Sequence, residues 1–586
     1  MLNLTPRFVG NLPNSLINLT SLSDTTKASV TLARVFAGRG VYEPEQLLTH
    51  ISRLLPADSL MGIDDAVMLI DNAIDANERI LIIGDFDCDG ATSTALMVRC
   101  LKAMGATVAY LVPDRFKYGY GLTPEIVRLG MDDHQPDIII TVDNGISSHE
   151  GVNTAKAHGI KVIITDHHLT TKATPNADAV FNPTQLGCCF ASKSLVGVGV
   201  AFYVLGRLAK RRREEGKSTY QVSQHLDLVA LGTVADVGVL DQNNRILVYH
   251  GLNMIRQGTC CLGILALLKQ AGRDVDKVTA HDCGFVLGPR INAAGRMDSM
   301  RLGIECLLSD DWEQAKQLAS QLDKLNRERR QVENKMREEA DAILANLSMH
   351  NDDKRSVVLY QDDWHQGVIG IVAGRLKEQY YLPSIVFAPA DRKKTGDDDA
   401  IKGSARSIMG VHIRDAIEQV AEHHPTLISH FGGHAMAAGL TLKKRQLPAF
   451  IKAFEAVMAK QDNQLFCEQK FTDGQLHAQD FSLAFADALR HEHIWGHGFV
   501  APSFDGVFGV EDAHILKDKH LKLSLSYPNV QYPIDAIWFH YDADKWDYRA
   551  CQVHVLFGLD VNEWNGRQSL QLMVQDLAVM DIQAKV

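Results

Sequence analysis

The sequence predicts a multidomain α/β protein: a doubly wound parallel sheet, then a long connecting helix, a smaller α/β domain and a C-terminal β-barrel. Three observations predict it. Short apolar runs alternate with helical patterns through the first third of the chain, at the spacing of βαβ units. From Asp311 to Leu347 a charged stretch without Gly or Pro repeats its apolar residues every three or four positions. Toward the C-terminus the pattern changes to strict alternation, the period of half-exposed strands. The 586 residues make about four domains the first expectation, and the pattern sets them at residues 1–310, 311–350, 351–462 and 463–586.

Ile80 to Gly84 reads as a strand buried on both faces, as in parallel sheets. A helix follows from Ala91 to Ala103, closed by Gly105, then strands at Thr107–Val112 and Asp137–Val142. The next helix lies around Ser148–His158, and a fourth strand runs from Lys161 to Thr165. Helices dominate from Ser194 to about Leu308, where Arg211-Arg212-Arg213 reads as a solvated helix end. Leu318, Leu322, Leu325, Val332, Met336, Ala340, Ile343 and Leu347 mark the stripe of the long helix, which would reach about 54 Å. Such a helix fits a strut or a coiled coil, and the break in the stripe at Arg329 favours the strut. Val357–Tyr360, Gly367–Leu376 and Ser384–Phe387 open the second α/β domain, with Asp391–Ala400 as a solvated hairpin tip. His520–Leu525 and Gln552–Phe557 alternate, and four of the six tryptophans fall in this last region, so an OB-type barrel is expected. Its aromatic residues Trp538, Phe539 and Trp546 are core in the main, and base stacking is the alternative. His491, His493 and His497 lack H-E-x-x-H spacing and read as loop residues.

Composition narrows the function. The net charge of −11 disfavours a protein that coats duplex DNA electrostatically, yet it leaves room for a local basic groove beside acids gathered around metal ions. Ten scattered cysteines without a C-x-x-C argue against a disulfide framework and a structural zinc site. Met1–Arg7 lacks the basic-then-apolar order of a secretory signal, and Ser194–Gly206 is too short to cross a bilayer. A cytoplasmic protein with no membrane partner is expected.

Ligands in open α/β sheets bind outside the carboxyl ends of the strands. The first strand ends in Gly84-Asp-Phe-Asp-Cys-Asp-Gly90, presenting Asp85, Asp87 and Asp89; the third ends at Asp143; the fourth ends in Thr165-Asp-His167-His168. Any one of these aspartates could simply cap the next helix. Three strand ends together deliver more acid than one sheet edge can hold ionised, because like charges raise one another's pKa. Divalent cations remove the conflict, and a carboxylate-rich set with one or two imidazoles suits Mn²⁺ or Mg²⁺ better than Zn²⁺. There are enough acids for two ions sharing a bridging carboxylate. Asp236 ends an apolar helix, Leu231–Asp236, where an acid is electrostatically unfavourable. It is either an ordinary helix end or another ligand. A calcium loop is disfavoured because no Glu stands at its twelfth position, and a dinucleotide site because G-x-G-x-x-G is missing.

Asp-Phe-Asp-Cys-Asp-Gly, Val142-Asp-Asn-Gly145, Thr165-Asp-His-His168 and Val234-Ala-Asp236 are, in order, similar to the four motifs of the DHH phosphoesterase superfamily. Phe431-Gly-Gly-His-Ala-Met-Ala-Ala-Gly439 resembles the signature of the associated DHHA1 domain. Trp364–Arg375, Gly288–Arg296 and Val112–Gly121 are similar, more narrowly, to the RecJ family of bacterial single-strand-specific exonucleases. The resemblance runs from about Gly38 to the C-terminus. It implies Asp87, Asp89, Asp143, His167 and Asp236 as metal ligands, with Asp143 bridging, and Asp85 and His168 completing the catalytic set. It implies Arg115, Arg290, Ser404, Arg406 and His434 as phosphate contacts. It also implies hydrolysis of single-stranded DNA from the 5′ end to 5′-mononucleotides, with a cleft that admits one strand, and a role in recombination and repair. The partners it implies are single-strand binding protein and a RecQ-type helicase, for which the sequence shows no docking motif.

The chain departs from the family pattern at Cys88, often Ala, at Gly238-Val239, usually Val-Pro, and in Trp495–Pro502, which lacks the Glu of a Pro-Glu-Pro element. The first two leave the ligands intact, and the third bears on barrel-loop contacts. A small-substrate phosphoesterase would leave the strut and barrel unexplained, and a relative without metals would not need every ligand.

Overall fold

The computed structural model describes residues 1–17, 30–113, 115–169, 173–348, 354–391, 399–564 and 566–582. It divides into two compact units: residues 1–295, 299–323 and 470–586, and residues 296–298 and 324–469. The chain opens with a short strand β1, Leu4–Pro6. Five parallel strands then form one sheet: β2 Arg79–Gly84, β3 Thr107–Leu111, β4 Ile138–Val142, β5 Lys161–Thr165 and β6 Ala179–Phe181. Their order is β3-β2-β4-β5-β6. Ile80 to Gly84 is fully buried, as is all of β4, which is what the unbroken Ile-rich runs require of strands covered on both faces. From β2 the chain steps outward to β3 and then returns to the far side of β2 for β4. This reversal opens a crevice at the carboxyl ends of β2 and β4.

Between β2 and β3 the Cys88–Ala103 helix is buried on nearly every side, and Gly197–Glu214 packs against it. The structure corrects one expectation at the end of that second helix. Arg211-Arg212-Arg213 is not simply a solvated end: Arg212 is buried with its guanidinium on Asp71 and Asp75, and Arg211 reaches Asp71 at 2.9 Å. Only Arg213 is exposed. The helix Trp312–Ser348 runs from the first unit into the second.

The second unit carries a mixed sheet of β7 Val357–Tyr360, β8 Ser384–Pro389, β9 Ala400–Arg406, β10 His430–Gly433 and β11 Ala437–Lys443, ordered β10-β11-β9-β8-β7. β8 and β9 pair antiparallel, as a hairpin does, while residues 392–398 of the tip expected at Asp391–Ala400 lie outside the described residues. The Ile369–Tyr380 helix packs on β8 and β9.

β12, Lys470–Thr472, pairs in parallel with β1, a long-range contact that three-residue strands cannot announce in sequence. The chain then closes a barrel of β13 Phe504–Leu516, β14 His520–Ser526, β15 Ile534–Phe539, β16 Ala550–Trp564 and β17 Arg567–Ile582, in the order β13-β14-β15-β17-β16. β14 alternates buried and half-buried along its whole length. Trp538 and Trp546 join the barrel core, whereas Phe539 is 49% exposed. Of the histidines read as loop residues, His491 ends the Leu483–His491 helix and His493 packs edge-on to Phe36 at 4.9 Å.

Candidate metal centre

β2 delivers its acids into the crevice by different routes. Asp87 caps the Cys88–Ala103 helix: its Oδ1 accepts from the N–H groups of Asp89 at 2.9 Å and Gly90 at 3.0 Å. Asp89 sits in the first turn of that helix, fully buried. Its Oδ2 accepts from the Gly197 N–H at 2.6 Å and its Oδ1 from Val198 at 2.8 Å, at the start of the Gly197–Glu214 helix, where the dipole favours a carboxylate. Asp85 accepts from the Phe86 N–H at 2.8 Å and is 6% exposed. Asp143 follows β4 in the left-handed region, φ 60°, strain of the kind functional sites hold. A Cβ on Gly197 would lie 2.6 Å from Asp143 Cβ, so only glycine lets that helix approach both Asp89 and Asp143.

β5 supplies the imidazoles. His167 Nε2 lies 3.0 Å from Asp143 Oδ1, 3.7 Å from Asp236 Oδ2 and 3.8 Å from Asp89 Oδ2. Two groups of ligand atoms, each mutually within 4.8 Å, share His167: Asp89–His167–Asp236 and Asp143–His167–His168. Asp236 enters from the C-terminus of the Leu226–Ala235 helix. Of the seven expected catalytic residues, five therefore converge. Asp87 caps a helix beside them, and Asp85 is not in either group of described residues.

The electrostatics are those of a crowded acid site. Burial, then Asp87, pushes the Asp89 carboxyl up to about 7. Burial and the Asp89 and Asp87 charges raise Asp143 and Asp236 well above the usual carboxylate range. Burial drops His167 to about 4. His168 is pulled down by burial, but its hydrogen bond to Asp166 and that residue's charge prevail and lift it to about 9. Asp143 Oδ1 is buried with no hydrogen-bond donor among the described residues, despite the nearby His167 ring. An orphaned carboxylate oxygen amid oxygen and imidazole donors fits a divalent cation such as Mn²⁺ or Mg²⁺.

Sequence reasoning left three supporting residues out. Asp166 Oδ1 accepts from His168 Nδ1 at 2.7 Å, from the His167 N–H at 2.7 Å and from the His168 N–H at 3.0 Å, while its Oδ2 accepts from Ile146 N–H at 2.9 Å. Its place at the end of β5 was the available signal. Tyr120 brings its hydroxyl to 3.2 Å from the His168 ring nitrogens, and its own titration is pushed well up by burial and by Asp85. Asn292, within the Gly288–Arg296 stretch, accepts from the Cys88 N–H at 2.7 Å and so fixes the start of the helix that carries Asp89.

The expected phosphate contacts are divided between the two units. The Arg115 side chain lies outside the described residues. Arg290 is held by Asp323 at 3.0 Å and by the Val286 carbonyl at 2.8 Å. Within the second unit, Arg406 donates to Ser404 Oγ at 3.0 Å and to the Ala405 carbonyl at 2.8 Å. Both side chains face the first turn of Ile369–Tyr380: a Cβ on Gly370 would lie 2.9 Å from Arg406 Nη2 and from Ser404 Oγ. Burial lowers the Arg406 pKa, and among the described residues no carboxylate pairs with it. His434 is exposed in the tight turn between β10 and β11, its N–H on the Ala437 carbonyl at 2.8 Å.

Three family models match: the DHH family N-terminal domain over residues 79–233, the DHHA1 domain over 353–460 and the RecJ OB domain over 472–576. A Salmonella typhimurium protein called single-stranded-DNA-specific exonuclease RecJ is 43% identical over 556 residues, 93% of this chain and 95% of that protein. The Escherichia coli protein of the same name is 42% identical over 93% of this chain and 95% of its own length. The crystal structure of RecJ in complex with Mn²⁺ from Thermus thermophilus matches with a TM-score of 0.78 at 28% identity, covering 94% of this chain and 76% of that one. The Mg²⁺ complex from the same organism matches at 0.73 and 27% identity, over 94% and 75% of the two chains.

A parallel sheet presenting buried carboxylates and imidazoles at its switch point, followed by a DHHA1 domain, defines a metal-dependent phosphoesterase of the DHH class. Identity over nearly the whole length, with the OB domain matched as well, goes further. The chain belongs to the RecJ family.

Proposed function

We propose that this chain is a single-strand-specific 5′-to-3′ exodeoxyribonuclease that releases 5′-mononucleotides by metal-dependent phosphodiester hydrolysis. The observation that carries the reading is the convergence of Asp89, Asp143, His167, His168 and Asp236 at the carboxyl edge of the sheet, in a chain 43% identical to a named single-strand-specific exonuclease. Mn²⁺ or Mg²⁺, two ions in this reading, would supply an activated water and stabilise the leaving oxygen when bound. Asp87, Asp89, Asp143, His167 and Asp236 are the ligands proposed. The charge of Asp87 already bears on Asp89, Asp143 and Asp236, which supports its inclusion.

The other residues position and hold. Asp166 keeps His168 oriented and charged when no metal is present, the Tyr120 hydroxyl oxygen accepts from the same ring, and Asp85 stands beside them on the β2 loop. Polarity needs a grip on the terminal phosphate. The half-buried Arg406 fork, the Ser404 hydroxyl and the first turn of Ile369–Tyr380 together make an anion seat of the right chemistry. His434, Arg290 and Arg115 complete the phosphate contacts in this reading. The segments 1–310, 311–350, 351–462 and 463–586 stand as its domains, supported by the three family-model matches. Single-stranded DNA is the substrate; single-strand binding protein and a RecQ-type helicase are the proposed partners, and the cytoplasm the proposed location. Among the described residues no helix is long and apolar enough to cross a membrane.

The test is digestion of a 3′-labelled single strand bearing a 5′ phosphate, with and without Mn²⁺, beside the matching blunt duplex and inorganic pyrophosphate. Metal-dependent shortening of the single strand alone is expected. Hydrolysis of pyrophosphate with the DNA left intact would keep the metal chemistry and overturn the substrate.

A further inference from the structure

The turn after Asp236 is strained, and a segment 260 positions further along the sequence bonds to it. Val237 has φ 58°, a left-handed conformation that a β-branched residue adopts only under constraint. Its side chain is 62% exposed, so packing of that side chain does not fix the turn. Part of the constraint is local: the Val237 N–H reaches the Val234 carbonyl at 3.2 Å and the Gly238 N–H the Thr233 carbonyl at 3.0 Å, the two bonds of a helix C-terminal cap. The rest comes from Gly496–Phe499, the lead-in to the barrel, closed by a bridge between Gly496 and Phe499. His497 Nδ1 lies 2.7 Å from the Val237 carbonyl oxygen, and the His497 carbonyl accepts from the Leu240 N–H at 2.8 Å. A carbonyl only accepts, so Nδ1 carries the proton.

The fit around this contact is close. A Cβ on Gly498, φ 74°, would lie 2.6 Å from Val239 Cγ1, and one on Gly496 would lie 2.7 Å from Leu240 Cδ1. The lead-in is itself held: Trp495 stacks on Phe499 at 5.2 Å, the Arg245 guanidinium lies 4.2 Å over Phe499, and that of Arg39 lies 5.3 Å over Trp495. The histidine therefore projects from a fixed platform onto the peptide next to Asp236.

We propose that His497 is a positioning residue for the metal centre: by donating to the Val237 carbonyl it fixes the peptide after Asp236 and so aims that carboxylate at the ion. The inference rests on Asp236 as a metal ligand. It gives the barrel lead-in a part in the centre that no metal-binding motif records.

Mn²⁺ alone, titrated calorimetrically into the full chain, tests it without reference to nuclease activity. His497→Ala should weaken Mn²⁺ binding about tenfold, the usual effect of losing a group that orients a ligand, with the melting curve unchanged. His497→Asn should restore it, because the asparagine Nδ2 stands where the ring Nδ1 stood. Wild-type affinity in His497→Ala overturns the proposal, and so does a loss that His497→Asn fails to recover. Asp236→Asn is measured in parallel. If it leaves Mn²⁺ binding unchanged, the ligand assignment fails; if it weakens binding while His497→Ala does not, only the positioning role fails.

Discussion

Asp166→Asn keeps the shape of a side chain that holds the proposed ligand His167 by its N–H and His168 by its ring, and it removes one acceptor. The carboxylate is 1% exposed and receives four N–H groups: three on Oδ1, from His167, His168 and the His168 ring, and the Ile146 N–H on Oδ2. An asparagine offers one acceptor oxygen and one amide donor. The better of its two orientations leaves the oxygen on the three histidine donors and turns the amide against the Ile146 N–H. One buried donor then goes unpaired, at a cost of about 1–3 kcal/mol. That cost falls on folding, with or without metal; the loss of Mn²⁺ affinity is the ~10- to 100-fold typical when a group orienting a metal-site histidine is removed. Loss of the negative charge also takes away what lifts His168 to about 9, so its titration should move down. The assay is a calorimetric Mn²⁺ titration, with the His168 ring followed by NMR in metal-free protein. Mn²⁺ affinity within twofold of the parent, with His168 still titrating near 9, would refute the reasoning.

Mn²⁺ binding should also depend on pH with a definite sign: a proton on Asp89, raised to about 7, competes with the ion, so affinity rises about tenfold from about pH 6 to pH 8 through this group alone. Calorimetry in buffers of different ionisation enthalpy should show protons released on binding, and a flat profile would contradict it. Arg406→Lys keeps a positive charge and loses the planar fork, so the preference for a 5′-phosphate over a 5′-hydroxyl end should fall about tenfold while Mn²⁺ binding is unchanged. Competition between the two ends in a degradation assay reads this directly. Arg212→Met leaves Asp71, 1% exposed, with Arg211 at 2.9 Å and Lys217 at 3.9 Å as its remaining partners, and should destabilise the first unit by about 3 kcal/mol in urea unfolding.

The strands and the acids at their ends were legible because both obey local rules. Ile80–Gly84 and Ile138–Val142 are apolar on both faces, which only a buried parallel strand tolerates, and the residues just past such a strand lie at the ligand edge. Asp87 shows the limit of that logic. It carries the same pattern as Asp89 but spends one oxygen capping the helix, a difference set by which residue falls at the cap. Asp166 stood in plain view between Thr165 and His167. Its part depended on a side-chain geometry that spacing does not encode. His497 and Val237 are 260 positions apart in sequence, and neither has any local signature of the other. Arg212 escapes a sequence reading for a similar reason: a run of three arginines looks solvated until the helix carrying Asp71 and Asp75 is brought beside it. Periodicity reports which face is buried, and it is silent about what a buried polar group meets there.

In the function proposed, the cluster around Asp143 is the catalytic metal centre of a single-strand exonuclease, and Asp143→Ala removes its key carboxylate. Its Oδ1 is the orphaned buried oxygen and lies 3.0 Å from the His167 ring that both ligand groups share. The measurement is Mn²⁺-dependent release of mononucleotides from a 5′-phosphorylated single strand, paired with single-strand binding by anisotropy. The account predicts that the variant still binds the strand with near-parental affinity and releases no mononucleotide. Turnover at the parental rate would contradict it.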